Sequence, residues 1–130
     1  MFGANVACGK LALKNGTFTA GGETVVGGQL QTGGAYTAAA LDITEGATYN
    51  LWNWFSISRA NGTAGLSSVV TVNNGALNQL NSGMGLAMGY WNSLAGLSVR
   101  PVLTVRGSGS VSVAGALNLG ESAGSDAQLN

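Results

Sequence analysis

The chain has 130 residues, with five Lys or Arg, five Asp or Glu and no His, so its formal net charge is zero. This length predicts one domain, and such sparse, balanced charge argues against a nucleic-acid partner, which a basic surface would attract. Without His, and with Cys8 as the one cysteine, the chain has no imidazole base, no internal disulfide and no Cys-rich zinc site. We therefore predict no metal, no cofactor and no enzymatic activity.

Neither a leader nor a membrane span is predicted. Met1-Phe2-Gly3 lacks the basic start and the long apolar run of a signal peptide. The longest weakly polar stretch, 83–97, is too short to cross a bilayer and contains Asn92 and Ser93. We expect no membrane partner.

Gly and Asn interrupt short apolar runs along the whole chain, which is typical of an all-β protein. Asn15-Gly16 is a dipeptide favoured in hairpins, so the segments on either side of it are predicted to pair. In chain order, the predicted strands cover 10–20, 23–31, 35–44, 47–58, 66–72, 99–106 and 110–119. Over 75–97, apolar residues recur at the helical spacings of three and four, but several glycines oppose a helix, so helix and strand both stay open.

The strongest strand signal is 47–58, where side chains of alternating character predict two distinct faces. One face would carry Tyr49, Leu51, Phe55 and Ile57. The other face would carry Asn50, Trp52, Trp54 and Ser56. The two tryptophans, two residues apart on one face, are the most informative side chains of the chain.

Two segments, 70–78 and 111–118, look alike, because each has a V-x-V triplet followed by G-A-L-N. Their spacings differ by one residue. A β-solenoid would show more copies at a fixed period. We therefore attribute the likeness to simple β composition.

Segments in order along most of the chain resemble motifs of carbohydrate-binding modules with a galactose-binding-like jelly roll. Residues 13–21 read LKNGTFTAG and resemble the opening NGSFE-x-G strand, and 46–52 read GATYNLW against G-x-T-Y-x-L-x-F. Further likenesses cover 58–63 and 90–93. Residues 107–123 read GSGSVSVAGALNLGESA and are similar to GSGTVYIAGAQLEEGSxA, a closing form frequent in tailed-phage virion accessory proteins.

The resemblance implies an all-β fold, namely an antiparallel β-sandwich of jelly-roll type, with 1–130 as a single domain and little or no helix. It also favours strand within 75–97. Residues 1–9 and 120–130 are expected to be arms that order against a neighbour. Thr19, Ala114 and Gly115 stand where the family often has acids that bind calcium, so no calcium is predicted.

On this resemblance we expect a non-enzymatic virion structural protein, made in the host cytoplasm without a signal peptide. It would be a capsid decoration or cement protein, or a small head-fibre subunit, that binds the major capsid protein and stabilises the lattice. A homo-oligomer is expected, with a trimer favoured. Asp42 and Glu45, two carboxylates close in sequence, flank a turn and are expected to be solvated there rather than to catalyse glycoside hydrolysis.

The alternative is a carbohydrate-binding module that recognises glycans through Trp52 and Trp54, with Asn50 and Ser56 supplying hydrogen bonds. The same tryptophans also fit a subunit interface, where Trp is enriched, or the core, and the residues leave the three readings open. Second-rank candidates for the binding surface, with core packing as their default, are Tyr36, Tyr90 and Trp91.

Overall fold

The computed structural model describes residues 4–6, 9–28, 38–59, 67–89, 100–120 and 125–130. These residues form fourteen β-strands, which confirms the expected all-β character. Every strand pair among them is parallel. In this part of the chain there is no helix long and apolar enough to cross a membrane.

The strands form three sheets, here named A, B and C. Sheet A contains, in spatial order, β1 (Ala4–Val6), β4 (Thr24–Gly28), β7 (Phe55–Arg59), β10 (Gly85–Met88) and β13 (Ala116–Leu119). Sheet B contains β14 (Gln128–Leu129), β11 (Val102–Arg106), β8 (Val69–Asn73), β5 (Ala39–Thr44) and β2 (Gly9–Lys14). Sheet C contains β12 (Ser110–Val113), β9 (Ala76–Gln79), β6 (Thr48–Leu51) and β3 (Thr17–Ala20).

The chain winds as a three-sided parallel β-solenoid. Successive strands visit sheets B, C and A in turn, so each strand pairs with a strand one coil away and not with its neighbour in sequence. The paired positions Leu13, Ile43, Val72 and Val105 set coils of 30, 29 and 33 residues. The near-constant coil length is what stacks equivalent side chains into columns parallel to the solenoid axis.

The predicted antiparallel jelly-roll sandwich is therefore wrong. Asn15-Gly16 is not a hairpin turn, because it joins β2 of sheet B to β3 of sheet C, and these two strands do not pair. The predicted strand 47–58 is two strands, β6 and β7, separated by a corner at 52–54. Alternating apolar and polar residues occur in both architectures, since each buries one face of its sheets, so the alternation did not reveal the pairing partner.

The likeness between 70–78 and 111–118 also has a different origin from the one expected. The first segment runs from β8 through a B-to-C corner into β9, and the second runs from β12 through a C-to-A corner into β13. The two segments occupy different corners, so their spacing is not the coil length and the true period was missed. Elsewhere, 75–97 contains β9 and β10 within its described part, and β14 lies in the tail segment 120–130.

The B-to-C corner shows why the chain bends instead of reversing. On four successive coils its first residue has a left-handed backbone, with φ of 51° at Asn15, 54° at Glu45, 53° at Asn74 and 60° at Gly107. Asn tolerates this region better than most residues, and Gly carries no penalty there. Glycine is also needed for space, because a Cβ on Gly109 would lie 2.5 Å from the carbonyl oxygen of Val72 in the coil below.

The interior between the three sheets is apolar and closed in its central coils. The side chains at most 1% exposed include Leu41, Ile43, Leu51, Phe55, Ile57, Val70, Val72, Leu77, Leu86, Met88 and Leu103. The predicted buried face of 47–58 is confirmed, since Tyr49, Leu51, Phe55 and Ile57 all point into this core. Burying each such side chain contributes about 1.5–3 kcal/mol relative to leaving it in water.

One polar pair lies inside the solenoid. The Tyr49 hydroxyl is 2.8 Å from Thr24 Oγ1, and both residues are buried. Burial raises the pKa of the Tyr49 phenol above its ordinary value, and the hydrogen bond to Thr24 offsets this only in part. The folded chain therefore holds the phenolic proton at a pH where the unfolded chain releases it.

This pKa shift predicts a loss of stability at alkaline pH. Stability is fully present below the unfolded tyrosine pKa of about 10 and falls as the pH rises above it, because only the unfolded state then ionises. Urea unfolding between about pH 8 and 11 measures the slope. In Tyr49→Phe this contribution to the slope is expected to disappear, although the variant is less stable overall because the Thr24 hydroxyl loses its partner. Equal slopes in the two proteins would contradict the assignment.

Candidate functional site

The outer face of sheet C is a regular, uncharged polar surface. Its strands place hydroxyl and amide side chains outward, and the parallel register stacks them into two columns. One column is Thr19, Asn50, Asn78 and Ser112, and the other is Thr17, Thr48, Ala76 and Ser110. Asn78 Nδ2 donates a hydrogen bond to Asn50 Oδ1 at 2.9 Å, so the two amides form a ladder along the solenoid axis.

Trp52 stands at the edge of this face, at the corner that follows β6. Its side chain is 53% exposed, the largest exposure among the exposed large apolar residues described. Its backbone is held in place, because Trp52 N donates to the Ala20 carbonyl at 3.2 Å and Asn81 Nδ2 donates to the Trp52 carbonyl at 3.1 Å. Leu80 occupies the same corner one coil later, with its N–H donating to the Leu51 carbonyl at 2.8 Å, and is also exposed.

We name the set Trp52, Leu80, Asn50 and Asn78 the Trp52 corner. It joins one exposed aromatic ring and one exposed aliphatic side chain to a ladder of amides on a rigid backbone. Each amide offers both a donor and an acceptor, and no charged group belongs to the set. Such a surface can stack on an apolar ring face and hydrogen-bond to neutral hydroxyl groups.

Trp54 and Ser56 do not lie with Trp52, because the corner at 52–54 ends the two-residue alternation. Trp54 is only partly exposed and packs close to the next coil, where a Cβ on Gly85 would lie 2.9 Å from Trp54 Cζ3. Ser56 is buried, and its hydroxyl donates to Glu23 Oε1 at 3.1 Å. Glu23 also forms an ion pair with Arg59. Of the four candidates on the predicted outer face, Trp52 and Asn50 are therefore the two that the fold brings together.

The second-rank candidates Tyr36, Tyr90 and Trp91 lie outside the described residues, so their expected role stays a prediction. Asn78 and Leu80 were missed by the sequence reasoning. The available signal was the likeness of Tyr49-Asn50-Leu51-Trp52 to Leu77-Asn78-Gln79-Leu80, spaced by 28 residues, which the register aligns one above the other.

A second surface feature is a groove of about 350 Å³ on the outer side of sheet B, lined by Lys10, Lys14, Asp42 and Glu45 together with Asn73 and Asn74. Its charges are paired within the groove. Lys10 bridges to Asp42, and Lys14 Nζ lies 2.8 Å from Glu45 Oε1, which raises the pKa of Lys14. The two carboxylates are thus engaged by lysines, and we place no ligand here.

The described residues contain no group of three or more His, Cys, Asp or Glu placed to hold a metal ion. The expectations that the chain is not an enzyme and needs no cofactor remain predictions. Comparison of the chain with protein-family models, with curated proteins and with solved structures finds no match.

Proposed function

We propose that this chain is a non-enzymatic binding module that recognises a neutral polysaccharide at the Trp52 corner. The observation that carries the proposal is the half-exposed Trp52 ring on a fixed backbone, next to the Asn50–Asn78 ladder. An indole ring left in water forgoes the favourable burial of a large apolar surface. Tryptophan is also enriched among the residues that dominate binding energy at protein interfaces.

The chemistry of the surrounding face favours a neutral sugar over a charged ligand. The outward side chains of sheet C are threonines, serines, asparagines and one alanine. Sugar rings combine hydroxyl groups with an apolar ring face, which matches amides and hydroxyls beside an indole. Outward positions repeat at the strand spacing of about 4.8 Å, so the column from Thr19 to Ser112 extends over roughly 14 Å and accommodates several sugar rings.

Substitution of Trp52 tests this proposal. A glycan array with the purified chain identifies a ligand, and calorimetry with a short, monovalent oligosaccharide then gives the affinity. Trp52→Ala is expected to weaken binding by about 30-fold or more, which is the hot-spot threshold of about 2 kcal/mol. Trp52→Phe should retain part of the affinity, because it keeps an aromatic face.

The matched control is Leu129→Ala, which removes an equally exposed apolar side chain from sheet B. It is expected to bind the oligosaccharide like the unmodified chain. Circular dichroism must show that Trp52→Ala keeps its β-sheet signal. No glycan bound by the unmodified chain, or equal affinity in Trp52→Ala, would overturn the proposal.

A structural role in a virion is the second candidate, as a decoration, cement or head-fibre subunit bound to the major capsid protein. The resemblance that suggested it carries less weight now, because the jelly roll it implied is not the fold. What supports the role is the last coil, where Leu117, Leu119 and Leu129 expose apolar surface suited to burial against another protein. Co-sedimentation with particles from the source that carries the gene tests it, and a chain absent from those particles would rule it out.

A further inference from the structure

The first and last coils leave their inner side chains uncovered. Leu117, Leu119 and Leu129 of the last coil are 49%, 48% and 52% exposed, and Leu11 and Phe18 of the first coil are also exposed. The outer edges of β12, β13 and β14, and of β1, β2 and β3, have no partner strand among the described residues. Solenoids ordinarily need polar caps at these positions, because bare strand edges and apolar ends promote association.

The exposed side chains at the two ends belong to the same inner columns. In sheet B the register links Leu11, Leu41, Val70, Leu103 and Leu129. In sheet C it links Phe18, Tyr49, Leu77 and Val111. Each column thus begins and ends with an apolar side chain. Because a solenoid repeats by translation along its axis, its last coil fits the first coil of a second copy much as one coil fits the next.

The outward side chains also permit this contact. With β14 placed against β2 of a second copy in the continuing register, Leu129 meets Leu11 and Gln128 meets Lys10. Gln128 is uncharged, so no like charges are brought opposite each other. The inner columns contain no charged residue at either end, so the contact buries no unpaired charge.

We propose that copies of this chain stack head to tail, with the last coil of one copy covering the first coil of the next. β14, β12 and β13 would extend sheets B, C and A onto β2, β3 and β1 of the next copy. This contact uses two different surfaces, so it is heterologous and generates linear stacks instead of closed dimers. The inference shares the apolar last coil with the structural role above, but its partner is the chain itself.

The purified full chain, without particles, is the material for the test. Light scattering over a range of concentrations is expected to give a mass that rises with concentration above the monomer mass of 12.9 kDa. Leu129→Lys at the last coil and Leu11→Lys at the first coil should each reduce the mass to that of the monomer. Leu80→Lys, at an exposed corner away from both ends, is the matched control and should stack like the unmodified chain.

Mixing the two end variants provides the sharpest result. A Leu129→Lys chain keeps an intact first coil, and a Leu11→Lys chain keeps an intact last coil, so an equimolar mixture should form dimers and nothing longer. A chain that is monomeric at every concentration would overturn the proposal. So would an oligomer that survives both substitutions, or one that Leu129→Lys alone abolishes.

These outcomes separate the inference from the proposed virion role. A chain that binds particles but stays monomeric by itself would support the virion role and overturn stacking. A chain that stacks by itself and is absent from particles would support stacking alone.

Discussion

Phe55→Ala is expected to lower the free energy of unfolding by about 3–5 kcal/mol. Phe55 is fully buried in β7, and its ring meets that of Tyr49 edge to face, with centroids 6.3 Å apart. Its column continues through Thr24 and Leu86, so the cavity left by truncation is surrounded by three central coils. Because total stability is typically about 5–15 kcal/mol, this one change removes a large share of it.

The measurement is urea unfolding of the dilute protein, followed both by circular dichroism and by tryptophan fluorescence. Two probes are needed because repeat architectures do not always unfold in one step. Phe18→Ala is the matched control, since the same side chain there lies on an end coil and is already partly exposed. We expect it to cost about 1 kcal/mol. Equal losses in the two variants would contradict a closed interior centred on Phe55.

Gln79→Leu is expected to lower the free energy of unfolding by about 2–4 kcal/mol, although leucine is more apolar and of similar size. Gln79 is 1% exposed at the end of β9. Its Oε1 accepts hydrogen bonds from the N–H groups of Ala114 and Gly115 at 3.2 and 3.3 Å, and its Nε2 donates to the Asn81 carbonyl at 2.8 Å.

These contacts fasten the C-to-A corner of the last complete coil to the coil below. Ala114 N keeps a second acceptor in the Gln79 carbonyl, so the groups that leucine would leave unpaired are Gly115 N–H and the Asn81 carbonyl. The same urea experiment measures the loss. Gln128→Leu, a partly exposed glutamine in β14, should change stability by about 0.5 kcal/mol or less. A Gln79→Leu protein as stable as the unmodified chain would show that the amide contributes nothing net.

The Trp52 corner and the stacking ends make separate demands on the molecule. Trp52 and the amide ladder lie along the side of the solenoid, whereas the exposed leucines lie at its ends. Head-to-tail stacking would therefore leave the Trp52 corner open and repeat it along the stack. A stack of binding sites increases avidity for a long polysaccharide without any new contact, which is why the affinity test uses a monovalent oligosaccharide.

Local pattern was enough to determine several features of this chain. Gly and Asn punctuation predicted short strands throughout, and the alternation of Tyr49, Leu51, Phe55 and Ile57 identified a face that is indeed buried. Side-chain alternation is a property of any sheet with one covered face, so it survives an error in topology. The lack of His and the single Cys likewise removed whole classes of chemistry without reference to a fold.

The strand partners were decided only by tertiary structure. Parallel pairing joins residues about 30 positions apart, such as Ile43 and Val72, and neither strand contains a local signal that names the other. Asn15-Gly16 marks a change of direction, but whether the chain reverses into a hairpin or bends into the next sheet depends on what the following coil packs against. Corner loops of unequal length hid the period, because the coils differ by up to four residues.

The candidate site was divided in the same way. The sequence alone singled out Trp52 and Asn50, since an aromatic and an amide on the outer face of a strand are available for binding. It did not separate Trp52 from Trp54, because alternation stops where the chain turns at 52–54 and only the packing of the corner sends one ring to solvent and the other toward Gly85. It did not place Asn78 beside Asn50 either, since that contact exists only once two coils are stacked in register.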